Sequence, residues 1–231
     1  MSAVSIRIFA DAETTASAAA AFVAEEARAA IAARGRFVAA FSGGKTPWLM
    51  LRALAGEILP WESVHVAQVD ERVVPAHSPE RNFNSLCKSL ERSPLRPEQC
   101  HAMPVEAPDL ESAAVHYAQT LQAVARTPPV LDLVHLGLGT DGHTASLVPG
   151  DPALDIVDAD VALTGLYQGH RRLTLTFPMI NRSRRILWLV TGGEKAAMLA
   201  RLNKGDASIP AGRILRDSAL VFADREATHL L

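Results

Sequence analysis

The chain has 231 residues, 48% of them hydrophobic, which is enough to bury the core of a large α/β domain. Its formal net charge of −2, with no basic tract, argues against a nucleic-acid-binding surface. There is no apolar run of membrane-spanning length, no signal-peptide pattern and only two cysteines, Cys87 and Cys100, so we expect a cytoplasmic protein with reduced thiols.

Short β-rich segments alternate with helical segments along the whole chain. The pattern predicts strands at 6–9, 36–41, 64–69, 130–136, 173–176, 185–191 and 219–222, and helices at 13–34, 47–58, 83–90, 113–124 and 194–202. Gly35 should end the first helix, and Thr46 and Pro47 should begin the second. Such alternation indicates an α/β fold with a doubly wound, mostly parallel sheet and helices on both faces. Without a repeat or a linker, residues 1–231 are expected to form a single domain.

Three polar loops, two of them with glycines, follow strands of this sheet, where α/β folds place their ligands. In the first loop, Gly43 and Gly44 precede a helix whose free N–H groups suit an anion such as phosphate. Residues 44–46 also match the end of a P-loop, but that motif requires a glycine at the position of Ala39. Nucleoside triphosphate binding is therefore not expected.

The second loop places Asp70, Glu71 and Arg72 directly after an apolar strand. Such charged side chains are costly to bury without partners. They should therefore either be paired at a functional site or form an exposed Asp70–Arg72 ion pair of little energetic value. The sequence leaves both interpretations open.

The third loop, residues 137–150, contains a G-x-G-x-x-G motif between Gly137 and Gly142. In dinucleotide-binding folds the last glycine of this motif opens a helix. Here Pro149 and Pro152 leave room for about one helical turn. We therefore expect neither a nicotinamide nor a flavin cofactor.

The same loop carries His143 beside Asp141. An imidazole titrates near neutral pH, and a neighbouring carboxylate can orient it, so His143 is a candidate general base. The chain has further histidines inside or beside predicted regular elements, which we interpret as core or surface residues: His65, His101, His116 and His135.

Two basic segments complete the set of candidate ligand-binding residues. Arg171 and Arg172 precede a predicted strand, and Lys195 lies at a strand-to-helix junction that begins with two glycines. A cation at a helix N-terminus is mildly unfavourable, so an anionic ligand would explain the position of Lys195. Arg172 and Lys195 are accordingly candidates for holding a phosphate group.

In their order and spacing, six segments resemble the 6-phosphogluconolactonases, within a broader group that includes glucosamine-6-phosphate deaminases. The resemblance covers nearly the whole chain and is carried by residues 41–47, 70–75, 78–82, 136–150, 172–178 and 192–195. It implies a Rossmann-like, NagB/RpiA-like fold. It also implies hydrolysis of 6-phospho-D-glucono-1,5-lactone to 6-phospho-D-gluconate in the oxidative pentose phosphate pathway, in the cytoplasm, without an organic cofactor or an essential metal.

The resemblance implies candidate roles for individual residues of this chain. His143 is the family's proposed base, Asp141 orients its imidazole, and Arg72 is a candidate donor to the oxyanion. The sequence does not choose between Arg72 and backbone N–H groups for that last role. The expected substrate- and phosphate-binding residues are Ser42, Gly43, Gly44, Lys45, Asp70, Asn82, Gly142, Arg172 and Lys195.

Two alternatives remain at this level. The deaminases of the group carry a glutamate five residues after the histidine, where this chain has Val148, which cannot transfer a proton. A sugar-phosphate sensor without catalysis would need an output domain, and no helix-turn-helix segment is evident. The expected partner is a small sugar-phosphate lactone rather than nucleic acid or membrane, bound by a monomer or a weak homo-oligomer.

Overall fold

The computed structural model describes residues 4–231 and contains a seven-stranded and a three-stranded sheet. The strands are β1 (Ser5–Phe9), β2 (Phe37–Phe41), β3 (Val64–Gln68), β4 (Asp70–Arg72), β5 (Cys100–His101), β6 (Leu133–Leu136), β7 (Val161–Leu163), β8 (Arg172–Leu175), β9 (Ile186–Val190) and β10 (Ala219–Asp224). The α-helices are α1 (Ala12–Arg34), α2 (Lys45–Leu54), α3 (Asn82–Leu90), α4 (Leu110–Ala125), α5 (Phe177–Asn181) and α6 (Ala196–Lys204).

The larger sheet has the strand order β1-β10-β9-β6-β2-β3-β5, and every neighbouring pair is parallel. Buried side chains of α1, α2 and α3 pack against one face, and those of α4 and α6 pack against the other. Apolar groups thus cover the sheet on both sides, which is the arrangement that continuous apolar strands require. The predicted doubly wound, mostly parallel α/β fold is confirmed.

Helix α1 shows how local sequence sets the boundaries of an element. The Asp11 side chain accepts a hydrogen bond from the Thr14 backbone N–H at 2.8 Å and caps the first turn. Gly35 adopts a left-handed φ of 76° and ends the helix, as the sequence predicted. Between these residues, buried alanines form a smooth face that packs against α2 and the sheet.

The start of α2 differs from the prediction. Gly44, with a φ of 140°, caps the helix, and Pro47 occupies its third position rather than its first. Only a glycine adopts this backbone conformation easily, so the chain turns from β2 into the helix within three residues, 42–44. The Thr46 hydroxyl, predicted to cap the helix, instead forms a hydrogen bond of 2.7 Å with the hydroxyl of Thr191.

The second sheet was not predicted. Residues 70–72, interpreted as a loop, form β4, and β8, interpreted as another strand of the parallel sheet, pairs antiparallel with β4 and β7. The physical reason lies at Val69, which joins β3 to β4 and whose carbonyl accepts a hydrogen bond from the Leu175 N–H at 2.8 Å. This bond attaches the small sheet to the carboxyl end of the large one.

Other features of the chain agree with expectation. Cys87 and Cys100 are free thiols, each partly buried. His135 is fully buried in β6, whereas His116 is exposed on α4. Across residues 4–231, every helix is too short or too polar to cross a bilayer.

Candidate active site

A cavity of about 480 Å³ opens at the carboxyl ends of β2, β6 and β9, beside the three-stranded sheet. It brings together all but two of the site residues predicted from the sequence. The predicted residues that line it are Ser42, Gly43, Gly44, Lys45, Asp70, Arg72, Asn82, His143, Arg172 and Lys195. Asp141 lies behind His143, and Gly142 lies outside the lining.

His143 and Asp141 form a hydrogen-bonded pair at this cavity. The imidazole Nδ1 lies 2.6 Å from Asp141 Oδ1, which also accepts the His143 backbone N–H at 3.1 Å. Burial raises the pKa of Asp141, but hydrogen bonds from His143 and Tyr167 and the charge of His143 outweigh it and lower the pKa overall. An ionised Asp141 holds the hydrogen on Nδ1, which leaves Nε2 as the basic nitrogen.

The glycines of this loop give the backbone its shape. The Gly139 N–H donates to the His143 carbonyl at 2.8 Å, and a Cβ at Gly139 would lie 2.1 Å from His143 Nδ1. Gly142 has a φ of 84°, and a Cβ there would lie 2.7 Å from Ile209 Cβ. Gly142 therefore packs closely against Ile209 and is not among the residues that line the cavity, and its role in substrate binding stays a prediction.

Tyr167, which the sequence analysis missed, links two predicted site residues. Its hydroxyl donates to Asp141 Oδ2 at 3.1 Å, and its ring meets the His143 ring edge-on at a centroid distance of 5.5 Å. The Arg172 guanidinium lies 5.1 Å from the centre of the same ring. Nothing in the local sequence marks this tyrosine, because its role depends on contacts across the fold.

Arg172 and Arg72 lie opposite each other across the antiparallel pair β8–β4. Arg172 is only 5% exposed, and the Nε atoms of both arginines are buried without a partner among residues 4–231. Burial lowers the pKa of Arg172; the Asp70 carboxylate raises it, and the Arg72 charge lowers it again. Two like charges in register repel each other, so this arrangement favours an anion in the cavity.

Ser146, also missed from the sequence, connects Asp70 to this cationic pair. Its hydroxyl donates to Asp70 Oδ2 at 2.7 Å, and Arg172 Nη1 lies 3.4 Å from the same hydroxyl oxygen. Arg72 instead donates through Nη1 to the Glu80 carbonyl at 2.8 Å. The Asp70–Arg72 ion pair considered from the sequence is not formed, and the interpretation of these residues as part of a functional site is favoured.

Glu71 positions the neighbouring wall of the cavity. Its carboxylate is fully buried and accepts the backbone N–H groups of Asn82 and Phe83 at 2.9 and 2.8 Å. These bonds fix the start of α3, where the Asn82 side chain closes on Gly43. A Cβ at Gly43 would lie 2.3 Å from Asn82 Oδ1, so the contact depends on glycine.

A further part of the cavity wall combines cations with free backbone donors. Lys45 and Lys195 both line the cavity, and the first N–H groups of α2 point out of the helix without intrahelical acceptors. Ser42 Oγ is buried and has no hydrogen-bond partner within residues 4–231. This wall therefore suits an anionic oxygen ligand such as a phosphate group.

The loop that follows β6 has no helix directly after its glycine motif. Residues 141–150 form turns rather than the helix that a dinucleotide fingerprint requires, which agrees with the sequence analysis. Within residues 4–231, no three His, Cys, Asp or Glu side chains come together as a metal-binding group.

Comparisons with known proteins agree with this geometry. The model of the family described as glucosamine-6-phosphate isomerases/6-phosphogluconolactonase matches residues 10–222. The chain is 41% identical over 178 residues to a Synechocystis 6-phosphogluconolactonase, covering 75% of this chain and 74% of the relative. It is 35% identical to the Mycobacterium tuberculosis 6-phosphogluconolactonase, covering 98% of each chain. The crystal structure of the Thermotoga maritima 6-phosphogluconolactonase superimposes with a TM-score of 0.84 at 26% identity, covering 95% of this chain and 98% of that chain.

Proposed function

We propose that this chain, which belongs to the glucosamine-6-phosphate isomerase/6-phosphogluconolactonase family, hydrolyses 6-phospho-D-glucono-1,5-lactone to 6-phospho-D-gluconate, with His143 as general base. This activity is a step of the oxidative pentose phosphate pathway, and it is the one named for relatives at 35–41% identity. The observation that carries the mechanism is the Asp141-oriented imidazole at a cavity that is also lined by arginines and lysines.

His143 acts first on the attacking water. Its Nε2 takes a proton as the water oxygen bonds to the lactone carbonyl carbon, and Asp141 stabilises the resulting imidazolium. The tetrahedral intermediate then collapses, the bond between that carbon and the ring oxygen breaks, and the imidazolium returns the proton to the ring oxygen. A positioned general base of this kind is worth about 10²–10⁴ in rate.

Arg72 is the side-chain donor for the oxyanion of that intermediate. It lines the cavity with His143, and its Nε is buried without a partner in the described chain. A buried donor that has no partner in the free protein gains most when charge develops nearby. Backbone N–H groups of the glycine-containing loops supply the remaining donors.

The substrate phosphate binds among the cationic residues and backbone donors that line the cavity. Gly43 and Gly44 offer backbone donors and a close approach, while Arg172 and Lys195 offer charge; Lys45 extends the same surface. Binding a group that does not react fixes the lactone ring against His143, which converts binding energy into orientation. Asp70 and Asn82 then face the sugar hydroxyls.

Deaminase chemistry is disfavoured by one position. The ring-opening glutamate expected five residues after the histidine is replaced by Val148, which is buried and lies outside the cavity lining. A valine cannot donate or accept a proton. We therefore place the chain in the lactonase branch of its family.

The test is a lactonase assay with freshly prepared 6-phosphogluconolactone, corrected for spontaneous hydrolysis in a parallel sample without enzyme. His143→Ala should lose at least 10²-fold in turnover while its circular dichroism matches the original protein. Full turnover in that variant would refute the role of the base. Tight binding of 6-phosphogluconate without hydrolysis would indicate a sensor, and release of ammonia from glucosamine 6-phosphate would indicate a deaminase.

The proposal extends to the setting of the enzyme. Residues 1–231 act as a single domain, working as a monomer or a weak homo-oligomer in the cytoplasm. Sedimentation velocity over a range of protein concentrations tests the oligomeric state, and activity that requires a stable higher oligomer would contradict it.

A further inference from the structure

A second cleft, of about 240 Å³, lies at the amino ends of β2, β6 and β9, whereas the active-site cavity lies at their carboxyl ends. A five-residue strand such as β2 rises about 3.3 Å per residue, so the two sites are roughly 15 Å apart. No residue lines both. We call this second site the arginine cleft, and its charged residues are Arg34, Arg36, Arg126, Arg184 and Asp132.

The arginine cleft has more positive than negative charge on its walls. Asp132 accepts hydrogen bonds from Arg34 at 2.8 and 3.0 Å and from the Val38 N–H at 2.9 Å, and Arg184 approaches it at 3.5 Å. Arg36 and Arg126 form no ion pair within residues 4–231. The single carboxylate is therefore already occupied, and two guanidinium groups remain without a counter-charge.

The fold itself brings these cations together. Arg36 immediately precedes β2, Asp132 immediately precedes β6, and Arg184 lies two residues before β9. These three strands are neighbours in the sheet. Adjacent strands lie about 4.8 Å apart, so their flanking side chains are crowded. Acidic residues outnumber basic ones in the chain as a whole, at 25 to 23, so overall composition does not account for this cluster.

Arg126 reaches the arginine cleft from a conformation that suits glycine. It follows the last residue of α4 with a φ of 76°, a left-handed value that a long side chain rarely adopts. The buried Val38 and Ala125 and the exposed Pro128 also line the cleft beside the cations. The cleft thus combines positive charge with apolar groups, as small-molecule sites commonly do.

We propose that the arginine cleft binds a small anion with a phosphate or carboxylate group, at a site separate from the active site. The planar guanidinium fork matches both groups through paired hydrogen bonds. The volume of about 240 Å³ admits inorganic phosphate or a compact phosphorylated metabolite but is small for a nucleotide. This proposal does not depend on the lactonase activity.

The test is an amide NMR titration of the full chain with inorganic phosphate at constant ionic strength, following residues 35–38, 125–127 and 130. Arg172→Ala, which weakens anion binding in the active site, should leave the shifts at the cleft intact.

Arg126→Gly removes one cation and relieves its backbone strain, so the variant stays folded and retains lactonase activity. Its apparent Kd for phosphate should rise about tenfold, as should that of Arg36→Gln. The exposed Arg92→Gln is the matched control and should change nothing.

Parallel titrations identify the ligand chemistry. Stronger shifts with acetate than with phosphate would assign the cleft to carboxylates, and stronger shifts with glycerol 3-phosphate would assign it to a phosphorylated metabolite. Equal shifts with chloride at the same ionic strength would overturn the proposal, because they would reflect charge screening alone. It is also overturned if Arg126→Gly and Arg36→Gln both titrate like the original protein.

Discussion

Arg72 and Arg172 form a directly opposed pair across β4 and β8, at the mouth of the active-site cavity. Like charges in register destabilise a sheet, and here both Nε atoms are also buried without partners among residues 4–231. The folded protein therefore carries an unfavourable electrostatic arrangement that an anionic substrate relieves. Under the proposed function, we expect this pair to contribute to selectivity for phosphorylated lactones.

Replacing Arg172 with alanine should mainly weaken substrate binding. Losing a charge-assisted contact worth about 1.5–3 kcal/mol corresponds to a rise in KM of about 10- to 100-fold, with a smaller effect on kcat. Steady-state kinetics with the lactone measures both constants. A loss of kcat at unchanged KM would contradict a phosphate-binding role for this residue.

Adding one methyl group at Gly139 should displace the imidazole of His143, the proposed general base. In Gly139→Ala the new Cβ would lie 2.1 Å from His143 Nδ1, so the ring must move away from its hydrogen bond with Asp141. We expect turnover to fall by about 10²-fold or more. Gly137→Ala is a matched control on the same loop, because its Cβ would have no atom within 4 Å. Equal activity of the two variants would show that the imidazole does not need its observed position.

Tyr167 should act as a positioning residue for two separate parts of the site. Tyr167→Phe keeps the ring beside Arg172 but loses the hydrogen bond to Asp141, so kcat should fall about 3- to 10-fold with little change in KM. Tyr167→Leu removes the ring as well and should also raise KM. If both variants change KM and kcat alike, the tyrosine has only a general structural role.

The buried His135 should make the fold sensitive to acid. Burial lowers its pKa to about 3 from the usual 6.5, so the unfolded chain takes up the proton first as the pH falls. Its contribution to stability is therefore complete above about pH 6.5 and decreases towards pH 3, by about 1.4 kcal/mol per pH unit. Between pH 7 and pH 5 this residue alone should cost about 2 kcal/mol of unfolding free energy.

His135→Leu tests this dependence directly. Both ring nitrogens lack a partner in the described chain and the ring stacks on Phe41, so leucine suits the site and should lessen the loss between pH 7 and pH 5. Urea unfolding at both pH values measures the difference. Burial also lowers the pKa values of His65 and His101. These two histidines are present in both proteins, so the pH dependence that they add to the unfolding free energy is the same in both. Parallel stability curves for the two proteins would rule out His135 as the source.

The large sheet and most of the site could be predicted because their signals are local. Alternating apolar segments predicted the parallel strands except the two-residue β5, and most of the residues predicted from the polar loops and basic segments do line the cavity. The small antiparallel sheet could not be predicted, because β4 and β8 are short and are about 100 residues apart in the chain. Tyr167 and Ser146 were missed for a related reason: each acts through contacts between distant segments.

Gly142 shows that one residue type can have two structural uses. A glycine in a loop after a strand is typical of phosphate binding, but the same residue type also permits a left-handed backbone and close packing. At Gly142 the second explanation holds, since its φ is 84° and Ile209 occupies the space of a side chain. Sequence alone cannot distinguish these two uses of glycine, because both depend on what lies opposite the missing Cβ.

The buried carboxylate of Glu71 has a consequence for protein engineering. Because it fixes the start of α3, the distance between Asn82 and the Gly43 backbone is set by a residue that does not line the cavity. A designer who wants to admit bulkier lactones has little freedom at position 43, where any side chain would collide with Asn82. Shortening Asn82 while keeping Glu71 widens the entrance and leaves the helix that frames it in place.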